Sequence, residues 1–104
     1  MVYAITADNF EKEVINSTAP VLVDFYADWC GPCRMLAPVL DRLAAELGAT
    51  GKVCKINVDE QPDLAQQYGV MSIPTLITFE GGKQTNKAVG AQSIADLKKM
   101  MGLG

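Results

Sequence analysis

Apolar and polar positions along this chain switch between a strand-like and a helix-like period, and the switches outline an ordered series of elements. Val2 to Ile5 reads as a short strand. It leads into a first helix in which Thr6 or Asp8 caps and Phe10 and Val14 share a face. Pro20 then opens Val21-Leu22-Val23-Asp24-Phe25-Tyr26, a β-branched and aromatic run that reads as a central strand buried on both sides. Leu36, Leu40, Leu43 and Leu47 draw one apolar stripe along a longer helix, with Gly48 as its stop and Pro38 as an internal kink. From Lys52 to Asp59 the pattern alternates again, with Val53, Lys55 and Asn57 on one face and Cys54, Ile56 and Val58 on the other. Pro62 begins a short helix ending near Tyr68-Gly69. Thr75 to Glu80 and Gln84 to Val89 pair across a Gly81-Gly82 turn, and Ser93 caps a last helix with Ile94, Leu97 and Met101 inward.

The order β-α-β-α-β-α-β-β-α predicts an α/β fold. A mixed sheet of about five strands, parallel at first and closed by a hairpin, should carry helices on both faces. In such sheets chemistry gathers outside the carboxyl ends of the strands. With 104 residues, no repeat and no linker-like stretch, residues 1–104 are expected to form a single domain.

Composition narrows the partners. Nine basic and twelve acidic residues are mixed along the chain, for a net charge of −3, so no basic face for nucleic acid is expected. The N-terminus has neither a basic n-region nor a continuous apolar h-region, and no uncharged apolar stretch reaches the ~18 residues of a membrane helix. A reducing compartment, the cytoplasm, is therefore the default expectation. A mature chain cleaved from a transit peptide would look the same. A monomer is expected, because no large apolar segment is left over.

Candidate chemistry centres on Trp29-Cys30-Gly31-Pro32-Cys33, a Cys-x-x-Cys pair placed after a strand pattern and before a helical one. Free N–H groups and the helix dipole at that position favour an anion, and the thiolate is the species that attacks disulfides. Cys30 reads as the exposed nucleophile. Cys33, one turn further in, reads as the shielded resolving thiol that displaces the reduced substrate. Gly31 permits the tight turn and Pro32 stiffens it. A metal site is disfavoured, since the chain has no histidine and only one further cysteine. That cysteine, Cys54, alternates onto an apolar face and reads as core, with a regulatory or intermolecular thiol as the alternative. The five methionines read as filler and helix ends.

Asp24 lies inside an apolar strand, where a carboxylate is expensive to desolvate. It either exchanges the Cys33 proton, with Lys55 as its ion partner, or faces a polar rim and only makes hydrogen bonds. Lys55 reads equally well as an exposed strand lysine. Ile73-Pro74 precedes a strand, and a cis bond there would turn the Ile73 backbone outward to pair with an extended substrate. Trp29, Ile73, Gly90 and Ala91 would then form an apolar landing surface. Trp29 also reads as a partly buried packing residue.

These residues resemble the thioredoxin family from end to end. Val21 to Phe25 leading into Ala27-Asp28-Trp29-Cys30-Gly31-Pro32-Cys33 carries the resemblance, with Pro38, Lys55 to Asp59, Tyr68-Gly69-Val70, Ser72 to Thr75, Gly82 and Val89-Gly90-Ala91. The resemblance implies a dithiol protein-disulfide reductase. In it Cys30 is the nucleophile, Cys33 resolves, Asp24 transfers a proton beside Lys55, and Pro74 is cis. It implies a substrate groove including Trp29, Ile73 and Gly90, and no bound cofactor. Partners would be disulfide-containing client proteins and a flavin-dependent thioredoxin reductase fed by NADPH. Tyr26 departs from the pattern, standing where many members carry a second tryptophan. An oxidase or isomerase domain fits less well, for Gly31 and Pro32 add no positive charge beside the nucleophile. A thioredoxin-fold scaffold without turnover is the rival from another class.

Overall fold

Strands β1 (Val2–Ala4), β2 (Val21–Tyr26), β3 (Lys52–Asn57), β4 (Thr75–Glu80) and β5 (Lys83–Val89) form where the strand-like runs stand in the sequence. They join in one sheet ordered β1-β3-β2-β4-β5, in a computed structural model that describes residues Met1–Gly104. β1 and β2 run parallel to β3, while β2 and β5 run antiparallel to β4. The expected mixed, five-stranded sheet with helices on both faces is therefore what forms.

β2 lies between two neighbours, and its alternation divides the core in two. Val21, Val23 and Phe25 meet Ile56 and Phe79 on one face, under Phe10, Val14 and Leu64. Leu64 belongs to α2 (Pro62–Gln67). Leu22 and Leu76 on the other face meet the leucine stripe of α1 (Gly31–Leu47), and Leu97 of α3 (Ile94–Met100) closes that side. Asp24 alternates with Val23 and Phe25, so it points to the α1 side. Leu43 is fully enclosed there. Leu43→Ala should lower unfolding free energy by ~2–5 kcal/mol through lost burial and a residual cavity, read as a lower urea midpoint at unchanged slope.

Several boundaries differ from the sequence expectation, each for a local reason. The first helix is a single π turn, Glu11–Ile15, in which the Asn16 N–H donates to the Glu11 carbonyl at 2.9 Å. The wider turn keeps Phe10 and Val14 together on the core. Thr6 supplies the side-chain acceptor before it, taking the Asp8 N–H at 3.2 Å, and Asn9 Oδ1 takes the Thr6 N–H at 2.7 Å. β3 stops at Asn57, before Val58 and Asp59. There the Asn57 side chain accepts the N–H groups of Asp59 (2.9 Å) and Glu60 (3.3 Å) and turns the chain out of the sheet. α1 runs unbroken across Pro38 and ends at Gly48, whose φ of 54° suits glycine. Ser93 caps α3 by accepting the Asp96 N–H at 3.1 Å.

Candidate active site

β2 and α1 bring the two cysteines to the carboxyl end of the sheet. Cys30 is the N-cap of α1, with φ −87° and ψ 113°, and its sulfur accepts the Cys33 N–H at 3.2 Å. The first turn of α1 holds no acidic side chain of its own to compete with a thiolate at Cys30 for those N–H groups. The two cysteines are joined as a disulfide, with Cα atoms 5.2 Å apart. Their burial corrects one expectation. Cys30 is 5% exposed and Cys33 4%, so shielding does not separate them in the oxidised state. Ala27, Tyr26, Val58 and Ile73 pack around both. What differs is the neighbourhood: Cys30 Sγ lies 3.8 Å from the Ile73 carbonyl oxygen, whereas Cys33 lines a cavity with Asp24.

Gly31 also departs from its expected part. It opens α1 outside the left-handed region, and a Cβ there would meet nothing within 4 Å. The turn itself does not require glycine. Pro32 sits in the first turn, where no N–H is missed. Arg34 braces the preceding loop by donating to the Asp28 carbonyl at 3.3 Å.

Asp24 is 4% exposed, and its Oδ1 accepts no hydrogen bond. Burial raises its carboxyl from an ordinary 3.8 to about 7, against a smaller opposing pull from the Lys55 charge. Lys55 is its register partner on β3, yet the two form no ion pair. The ammonium instead stands over the Tyr26 ring, 5.6 Å from the centroid, in a cation–π contact. It acts on Asp24 through the field only. Cys54 is fully buried, and burial pushes its thiol up to about 12.

On the α2 side of the pair runs a shallow apolar groove of about 390 Å³, lined by Trp29, Val58, Val70, Met71, Ser72 and Ile73. The Ile73–Pro74 bond is cis, as the resemblance implies. Gly90 is not part of that lining; it donates its N–H to the Pro74 carbonyl at 2.8 Å and holds φ 95°, a conformation that asks for glycine. Ala91 is exposed next to it and does not line the groove. Trp29 is 69% exposed, which rules out the packing reading, and its Nε1–H donates to Asp59 Oδ2 at 2.9 Å. Met71 at 97% and Met35 at 78% exposure are not filler. Sequence reasoning missed Asp59, Val58, Val70 and Met71. The signal available for Met71 was its place two residues before Ile73. For Asp59 it was the strand-ending turn at Asn57, which no periodicity reveals.

The thioredoxin family model matches residues 1–102. The chain belongs to the thioredoxin family. It is 53% identical over 87 residues to Thioredoxin 1 of a Nostoc species, covering 84% of this chain and 81% of that protein. It is 48% identical over 88 residues to a thioredoxin of Rickettsia felis, covering 85% and 84%. It is 49% identical over 88 residues to a chloroplastic M-type thioredoxin of Chlamydomonas reinhardtii, covering 85% of this chain and 63% of that protein. With thioredoxin sequence over nearly its whole length and the Cys30–Cys33 disulfide at the head of α1, the chain is a thiol–disulfide oxidoreductase with protein-disulfide reductase activity. No helix is long and apolar enough to cross a membrane.

Proposed function

We propose that this chain, working as one domain and as a monomer in the cytoplasm, reduces client-protein disulfides with Cys30 as nucleophile and Cys33 as resolving thiol. The observation that carries the split is the Cys33 N–H aimed at Cys30 Sγ at the helix N-cap, which favours charge on Cys30. The Cys30 thiolate attacks a client sulfur, a mixed disulfide forms, and the first client thiolate leaves. The Asp24 carboxylate then takes the Cys33 proton, the Cys33 thiolate attacks Cys30 Sγ, and the second client thiolate departs. Two electrons pass to the client, and an NADPH-dependent thioredoxin reductase returns them. Lys55 tunes Asp24 by its charge. Pro74 and Ile73 shape the groove edge, where the Ile73 backbone pairs with an extended client segment. Trp29 and Gly90 bound the landing surface, with Ala91 beside it.

The test is coupled turnover: thioredoxin reductase, NADPH, this protein and insulin. NADPH oxidation should depend on both proteins and on insulin. No turnover with any thioredoxin reductase would overturn the reading. A narrower result concerns Trp29. Asp59→Ala releases the indole, at a cost of about 1 kcal/mol for one exposed hydrogen bond, so KM for insulin should rise roughly fivefold at unchanged kcat. Steady-state kinetics against a small aromatic disulfide, which needs no groove, should show no change.

A further inference from the structure

Val70, Met71, Ser72 and Ile73 form one continuous wall of the Trp29 groove, and the two ends of that wall are held differently. At the Ile73 end the chain is tied into the sheet, where the Thr75 hydroxyl donates to the Ser72 carbonyl. The other end follows α2, and the last carbonyls of a helix need donors from outside it. Gly69 turns the chain there with φ 67°, and the Val70 N–H reaches back to the Ala65 carbonyl at 2.9 Å. The carbonyls of Tyr68 and Gly69 are met by a side chain from another element. Lys87 Nζ donates to them at 3.1 and 3.2 Å. Lys87 stands on the edge strand β5 opposite Ile77 of β4, and opposite residues of an antiparallel pair share a face. Ile77 packs in the core with Leu64 and Ala65 of α2. The lysine stem therefore crosses that face, and its charge meets the helix end that favours a cation. Lys87 forms no ion pair, so the two carbonyls are the only protein partners of its ammonium.

We propose that Lys87 is a positioning residue for client binding: its ammonium clamps the chain at Tyr68-Gly69 to the sheet edge and so holds the wall from Val70 to Ile73 in its receiving shape. The inference rests on the reading of the groove as the client site. The Tyr68 ring is already fixed by Phe10, Phe25 and Phe79, so the clamp acts mainly on the Gly69 carbonyl and the residues after it. Gly69 has no side chain to pack, and a swing of its peptide would carry Val70 and Met71 along. Met71, 97% exposed, has no packing of its own to resist that swing. A wall ordered before the client arrives spares the complex the entropy of ordering it. That saving belongs to client binding and leaves the thiol chemistry alone, so it shows in KM and not in kcat.

Lys87→Met tests the clamp, because it keeps most of the stem and removes the donors, at an exposed edge where the fold should tolerate it. Lys87→Arg keeps charge and donors. Backbone order parameters are measured by NMR on the oxidised protein without client, and steady-state kinetics are run with insulin and with a small aromatic disulfide. In Lys87→Met the order parameters of Val70, Met71 and Ser72 should fall while those of β2 hold. KM for insulin should rise roughly threefold at unchanged kcat, as the loss of exposed hydrogen bonds would give, and the small disulfide should react as before. Lys87→Arg should restore both loop order and KM. A raised KM with unmoved loop order overturns the proposal, since an ammonium touching the client directly would give that result. An unchanged KM overturns it as well, and Trp29→Ala then shows which part failed. If Trp29→Ala raises KM, the groove stands and Lys87 alone is discarded; if it does not, the groove reading falls too.

Discussion

Cys30→Ser should reduce insulin turnover to the uncatalysed background while the fold stays intact. Serine is a favoured N-cap, so its hydroxyl can accept the Cys33 N–H as the sulfur does, and α1 keeps its start. What disappears is the thiolate, and no other sulfur replaces it. Cys54 is sealed in the core with its thiol at about 12, leaving about one part in ten thousand ionised at pH 8. Cys33→Ser should behave differently. It can still attack a client but cannot resolve, so a mixed disulfide through Cys30 should accumulate, seen as a mass increase that a reducing agent reverses. Trapping through Cys54, or residual full activity in Cys30→Ser, would overturn the division of roles.

Asp24→Asn should stabilise the oxidised protein and slow it at the same time. With the carboxyl at about 7 when folded and 3.8 ordinarily, the folded state holds the proton more tightly than the unfolded chain does. Above pH 7 both states are ionised and the full penalty for a buried charge is present. Below 7 the folded carboxyl protonates, the penalty shrinks as pH falls, and it is gone below 3.8. Removing the charge should therefore add on the order of 4 kcal/mol at pH 8, at ~1.4 kcal/mol per tenfold change in proton affinity, and nothing near pH 3.5. Denaturant unfolding of both proteins at those two pH values checks the sign directly. Client release should slow at and above neutral pH, where the carboxylate proposed as base is ionised, and the gap should narrow as pH drops below 7. A destabilised variant at pH 8 would mean that the side chain is held by partners the structure does not contain.

The parts of this molecule legible in its sequence are those written in short-range periodicity. The leucines of α1 and the alternation in β2 gave both core faces, and Pro62, Gly48 and Ser93 marked helix ends through their own backbone chemistry. Asp24 stood out because a charge inside an apolar strand needs a reason. Where two distant segments meet, the pattern says little. The Lys55–Tyr26 contact and the Trp29–Asp59 hydrogen bond each depend on side-chain conformations chosen in three dimensions. The near-equal burial of Cys30 and Cys33 arises the same way, since Ile73 and Val58 arrive from other parts of the chain to cover the pair. The π turn at Glu11–Ile15 escaped for a subtler reason. Its apolar positions, four apart, fit an α-helix equally well.

The chain contains a single tryptophan, and it stands at the rim of the groove next to Cys30 in sequence, with its ring N–H tied to Asp59. Indole fluorescence from this protein therefore has one source. A change in its emission on reduction, on binding of an extended peptide or on Asp59→Ala reports that rim, with no second indole in the core to dilute or confuse it. Any such change would be read without a label that alters the surface being measured.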